Sequence, residues 1–195
     1  MELTDGLEIA RRYLTMNGFD GALTMLGLLI AGLVSMQTID PRIVVSTTLI
    51  AAVASSVAMC VSGFSGAYMA ESAERDRELD EMRVSTTSAR TVAKYADASK
   101  TTILVVAAVD GLSPLIVSLL IMFPLFLVPV GLLGHSAAFA IAILICLALL
   151  FLLGVFLGHV SRSSIWKGGV MTLFAGLATA LLILLVSMFT GIGFY

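Results

Sequence analysis

The chain has 195 residues, of which 59% are apolar and only 12% charged, with a mean hydropathy of +1.06. A soluble globular domain carries about 25% charge, so this composition reads as a single domain whose solvent is lipid. A net charge of −2 without a basic patch argues against a nucleic-acid partner. Cys60 and Cys146 fall inside apolar runs and read as small hydrophobes, not as a disulfide or a metal clip.

In chain order, Glu2–Met16 is amphipathic, with Leu3, Leu7, Ala10 and Leu14 on one face and Asp5, Glu8, Arg11 and Arg12 on the other. It lacks the apolar centre of a signal peptide and is expected to lie along the membrane surface as a cytoplasmic helix over residues 1–18. The five-helix membrane domain then covers 19–195. Its first span runs from about Phe19 to Gln37, and Asp40-Pro41 makes a turn. The second begins near Arg42 and continues to about Met82. Those roughly 40 residues reach about 60 Å, against a hydrocarbon core of about 30 Å. The excess emerges as a charged rod: residues 71–100 hold 13 of the chain's 24 charges. The third span, about Thr102 to Val130, is expected to be interrupted by Asp110-Gly111, Pro114, Pro124 and Pro129. The fourth runs from about Ala137 to Val160 and the fifth from about Lys167 to Gly191. The expected fold is therefore all-α and polytopic.

Five spans place Arg11, Arg12, six basic residues of the 71–100 linker, Arg162 and Lys167 on one side, ten of the eleven basic residues. Only Arg42 faces the other side. The positive-inside rule then puts the N-terminus in the cytoplasm and Phe194-Tyr195 outside a plasma membrane.

Ionisable groups inside a membrane are costly and mark function by default. Asp20 opens the first span, where it could instead cap the helix N-terminus. Asp110 sits about eight residues into the third span beside the expected break, where freed carbonyls and a carboxylate could bind a cation or carry protons. Its structural alternative is a hydrogen bond to a neighbouring serine or threonine. On the rod, Glu71, Glu74, Glu78 and Glu81 follow at spacings of 3, 4 and 3, which aligns them on one helical face. Such carboxylates suit hard divalent cations, or else form a solvated face balanced by Arg75, Arg77 and Arg83. Met59, Met69 and Met82 add thioethers on the same helix. Gly154-xxx-Gly158 and Gly176-xxx-Ala180 are close-packing seams, within one chain or between two. No nucleophile, metalloprotease or phosphate-loop signature is present, so an enzyme is not expected.

Asn17-Gly18-Phe19-Asp20-Gly21-Ala22-Leu23-Thr24 resembles the NDGLLT opening of the first helix in the vacuolar iron transporter family. Ser62 to Asp76, read SGFSGAYMAESAERD, resembles that family's SMGLGEYLSTKSERD. The Gly111–Pro124 segment resembles its GG…PLLP, and Trp166–Ala180 resembles its fifth-helix opening. The resemblance implies a dimeric five-helix exporter of Fe²⁺ and often Mn²⁺ from the cytosol in exchange for protons, with no bound cofactor. It makes Asp20 a pathway residue. Where the family has a pathway methionine and glutamate, this chain has Gly63 and Ala67; Met59 and Glu71 lie one turn away on about the same face. The glutamate-rich module that family members commonly insert after the second helix is reduced to the polar stretch Arg83–Thr101, as in a short, divergent prokaryotic member.

The expectation is a proton-coupled divalent-metal transporter, with Asp20, Asp110 and Met59 in the path and Asp20, Glu71, Glu74, Glu78 and Glu81 meeting the metal. Two alternatives stay open. One is another solute on the same scaffold, and the other is a non-transporting scaffold docking a partner through its acidic rod.

Overall fold

A chain this apolar must pair its backbone donors and acceptors within itself, and uninterrupted helices do that at every residue. The computed structural model describes residues 2–85, 88–161 and 164–190. It has five helices: α1 (Glu2–Ser35), α2 (Pro41–Val84), α3 (Ala89–Phe126), α4 (His135–Val160) and α5 (Ile165–Thr190). Each is long and apolar enough to cross a membrane, and among the described residues there is no strand. The protein is an all-α, multi-pass membrane protein. Arg162 and the C-terminal Phe194-Tyr195, which the orientation argument used, lie outside the described residues.

The helix ends follow local chemistry. Asp40 caps α2, its carboxylate accepting from the Arg42 N–H at 2.8 Å, with Pro41 in the first turn where a missing N–H costs nothing. Ser88 caps α3 through the Thr91 N–H. The α3–α4 turn passes through Gly131 at φ 80°, a left-handed conformation that suits a residue without a side chain.

Two boundaries differ from expectation. No break separates Glu2–Met16 from the first span: α1 is continuous from Glu2 to Ser35. Anchors from α3 hold the junction, since Ser113 Oγ donates to the Leu14 carbonyl at 2.6 Å and Asn17 Nδ2 donates to Asp110 Oδ1. Asp20 is consequently mid-helix and caps nothing. Likewise, α3 is uninterrupted from Ala89 to Phe126, with Pro114 and Pro124 inside it and only Pro129 in a turn. Proline removes one intrahelical bond and need not end a helix whose flanks are packed. The polar stretch expected as a linker is mostly the first turns of α3, which pair with the overrun of α2.

α1 packs against all four other helices, and the most extensive contact joins α2 to α3. The core of Met25, Leu26, Leu29, Ile121, Phe139 and Leu150 lies in the half of the bundle nearer the α1–α2 and α3–α4 turns. Elsewhere glycine sets the spacing. A Cβ on Gly111 would lie 2.6 Å from the Cys60 carbonyl oxygen, one on Gly21 would lie 2.9 Å from Pro114 Cα, and one on Gly168 would lie 2.2 Å from the Gly154 carbonyl oxygen. The Gly154-xxx-Gly158 seam is thus spent inside the chain, on α5.

This packing predicts opposite effects for one substitution at two glycines. Gly66 has no neighbour within 4 Å of an added Cβ, so Gly66→Ala should gain up to about 1 kcal/mol from helix propensity. Gly111→Ala should lose about 1–3 kcal/mol, because the atom it strikes is backbone. Thermal unfolding of each variant in detergent, followed by circular dichroism, separates them by the sign of the midpoint shift.

Candidate functional site

The strongest site lies where α1, α2 and α3 cross. α1 and α2 each pack broadly on α3 but meet each other over a much smaller surface, which leaves a gap between them. The gap is a chamber of about 400 Å³ lined by Asn17 and Asp20 of α1, Ala58, Met59, Ser62 and Gly63 of α2, and Pro114 of α3. Asp20 lies within α1 and Asp110 within α3, both helices long and apolar enough to cross a membrane.

Asp110 is 4% exposed and sits behind this lining, accepting the hydrogen bond from Asn17. It lies close enough to Asp20 for the two charges to interact. Asp20 is exposed, and among the described residues its carboxylate has no hydrogen-bond or ion-pair partner. Two neighbouring carboxylates repel each other, and a cation between them would relieve that repulsion. The missing proline N–H at Pro114 also leaves the Asp110 carbonyl without its usual donor one turn on. That oxygen lies 3.2 Å from where a Gly63 Cβ would be. The bare α2 backbone at Gly63 therefore lets α3 approach, and Met59, one turn earlier, supplies the thioether beside the carboxylates.

The sequence-predicted residues divide into two groups. Asp20, Asp110 and Met59 come together at the chamber. The four rod glutamates do not act as one face: Glu71 is buried, Glu74 is exposed, and Glu78 and Glu81 are each held by an arginine. Arg75 Nη1 donates to Glu78 Oε2 at 2.8 Å and to Tyr95 Oη at 2.8 Å, while the Tyr95 hydroxyl donates to the same Glu78 oxygen. Arg77 pairs with Glu81 at 3.2 Å and Arg83 with Asp80 at 3.0 Å, both in the open, where such pairs contribute little. Among the described residues no three His, Cys, Asp or Glu side chains converge as a metal site. Spacing aligned the glutamates, but it could not show that α3 runs back along α2 and places Tyr95 against one of them.

With this geometry in place, the comparisons with known proteins are brief. The chain is 29% identical over 183 residues to an uncharacterized protein of the archaeon Methanocaldococcus jannaschii, covering 92% of this chain and 89% of that one. No family model matches the sequence, and no solved structure matches it. The similarity spans all five helices and so concerns the whole membrane domain.

Sequence reasoning missed Asn17, Tyr95 and Ser113. Asn17 and Ser113 stand in apolar surroundings, and Tyr95 is the only aromatic residue of the Arg83–Thr101 stretch. Each was visible as a residue out of keeping with its neighbours, though not its partner.

The hydrogen bond from Tyr95, reinforced by Arg75 against partial burial, holds the Glu78 carboxyl below its ordinary value near 4.5. A depressed carboxylate stabilises the fold above its unfolded pKa, and that contribution disappears as pH falls through the folded pKa. Tyr95→Phe should therefore cost on the order of 1 kcal/mol at neutral pH. The gap from wild type should narrow below about pH 4. Thermal midpoints of both proteins between pH 3 and 8 check this, and a gap independent of pH would contradict the assignment.

Proposed function

We propose that the protein moves divalent transition-metal cations, Fe²⁺ or Mn²⁺, out of the cytosol across the plasma membrane in exchange for protons. The observation that carries this reading is the pair Asp20 and Asp110 beside Met59, joined through Asn17 on helices long and apolar enough to cross a membrane. An exposed, unpartnered carboxylate there is expensive unless it meets a cation or a proton. The geometry supports a division of labour: Asp20 faces the chamber and meets the cargo, while Asp110, fixed by Asn17, shares its charge from behind. A carboxylate that binds metal must first be deprotonated, so loading metal releases protons and unloading takes them up. Few ligands suit a carrier, whose site must release what it binds. On the rod, Glu71 and Glu74 are the glutamates left without an ion pair among the described residues. Any collection of cytosolic cations falls to them, not to a line of four.

The chamber is also open along α2, whose Ser62, Ser65 and Tyr68 are exposed at or near its level. A charged cleft open toward lipid calls for cover, and a second copy of the chain, as the family resemblance implies, would provide it. The positive-inside count supports a cytoplasmic N-terminus. One observation favours a second reading, transport of another polar solute by the same chamber: the absence of three convergent metal-ligating side chains among the described residues.

Reconstitution into liposomes distinguishes these. With an inward-acid gradient, wild type should carry Mn²⁺ or Fe²⁺ with measurable counter-movement of protons. Asp20→Asn and Asp110→Asn should each reduce flux at least about tenfold, the loss of roughly 1.4 kcal/mol or more of cation stabilisation. Proton leak or solute flux without any metal movement would favour the second reading. Full metal flux in the doubly substituted protein would sink the first.

A further inference from the structure

A second concavity lies on the far side of α1, between α1, α4 and α5. It is a groove of about 320 Å³ whose walls include Met16, Phe19, Leu153, Leu157, Met171 and Ala175. Its two hydroxyls are spent on backbone: Thr15 donates to the Arg11 carbonyl at 2.9 Å, and Thr172 to the Leu150 and Gly169 carbonyls at 2.8 Å. The wall is therefore apolar in effect. The groove exists because glycines draw α5 hard against α4 at Gly154, Gly158 and Gly168, whereas α5 approaches α1 closely only further along, at Gly27 and Leu26. Beyond Met171 a second apolar surface of about 490 Å³ continues over Trp166, Val170 and Phe174.

At one end of this double surface stand two exposed cations. Arg12 precedes Met16 by one turn and Lys167 precedes Met171 by one turn, on helices that run parallel. Met16 and Met171 share the groove wall, so the two cations one turn before them stand at one level, at the start of α5; basic residues at the end of a span suit the headgroup region. Neither makes an ion pair among the described residues. Arg12 instead lies over the Tyr13 ring at 5.8 Å. Trp166 is 73% exposed at the same level, where an indole suits the membrane interface.

We propose that this surface holds an anionic diacyl phospholipid. One chain occupies the groove, the second lies across Val170 and Phe174, and the phosphate is shared by Arg12 and Lys167. The occupant follows from the surroundings: a groove open to bilayer is filled by acyl chains, and two exposed cations at its mouth, without an ion pair among the described residues, select a negative headgroup. The site is independent of the transport chamber and of what that chamber carries.

Native mass spectrometry of the detergent-purified protein, titrated with phosphatidylglycerol or with phosphatidylcholine of the same chains, tests it. Wild type should retain one phosphatidylglycerol per chain and prefer it over phosphatidylcholine. Arg12→Ala with Lys167→Ala should weaken phosphatidylglycerol about 25-fold, roughly fivefold per charge, and abolish the preference. Ala175→Phe, which fills the groove and leaves the charges, should weaken both lipids. Arg42→Ala, at the opposite end of the bundle, should change neither. Equal retention of the two lipids by wild type, or undiminished phosphatidylglycerol in the double variant, would overturn the proposal.

Discussion

Between helices in lipid there is little hydrophobic force to gather them, so backbone-to-backbone approach has to do most of the work. This chain achieves it with glycine at three crossings: Gly111 on Cys60, Gly21 on Pro114 and Gly168 on Gly154. Each glycine gives up about 1 kcal/mol of helix propensity relative to alanine. The return is a contact in which no side chain separates the two helices. The first two crossings fall at nearly the same level and share α3. They draw α1 and α2 onto adjacent faces of that helix, about 60° apart, with a smaller contact between the two, and the chamber is the space left there.

The same crossing explains why the polar residues sit there. Side chains at a close contact must be small or must find a partner, and Ser113, Asn17 and Asp110 find theirs across the α1–α3 seam. Asp20 is left over, pointing its carboxylate at the gap. Two acids in unlike surroundings, one hydrogen-bonded and enclosed and the other open, are a recurrent arrangement for splitting two roles between chemically equal groups. Here the enclosed one is anchored by an amide and the open one faces the chamber. Gly63, which looked like a missing ligand in the sequence, is what lets α3 come close enough to bring Asp110 near.

Hydropathy alone made the five helices legible, as well as the overrun of α2, because lipid imposes one length on every span. Asp20 and Asp110 were legible as ionisable groups in apolar runs. What the sequence concealed was long-range. Asn17-Gly18 looked like the start of a helix because its stabilising partners, Ser113 and Asp110, lie more than ninety positions away. Pro114 looked like a break because the packing of α3 between two helices is a tertiary fact. Periodicity put the four rod glutamates on a common face, but burial depends on what lies opposite, and α3 lies opposite Glu71 and Glu78 while Glu74 and Glu81 face outward. The open seams were resolved in the same way. The glycine pair on α4 could have served two chains, and it serves one.

The seams differ in strength, and that difference bears on how the chamber could change shape. α2 and α3 are joined by the backbone contact at Gly63 and Gly111 and again, about 23 Å along the rod, by the Arg75, Glu78 and Tyr95 cluster. Two attachments that far apart on two uninterrupted helices fix both the spacing and the rotation of the pair. α1 meets α3 over a shorter stretch and α2 hardly at all, and its other contacts are with α4 and α5. The chamber therefore has one firm wall, α2 with α3, and a second wall, α1, that is tied to α3 and less extensively to α2. Any opening or closing has its easiest path along the α1–α2 gap, where few contacts must be broken. Asp20 and Asp110 stay together in such a movement, because Asn17 bonds to Asp110 and Ser113 to the Leu14 carbonyl, which ties α1 to α3 beside them.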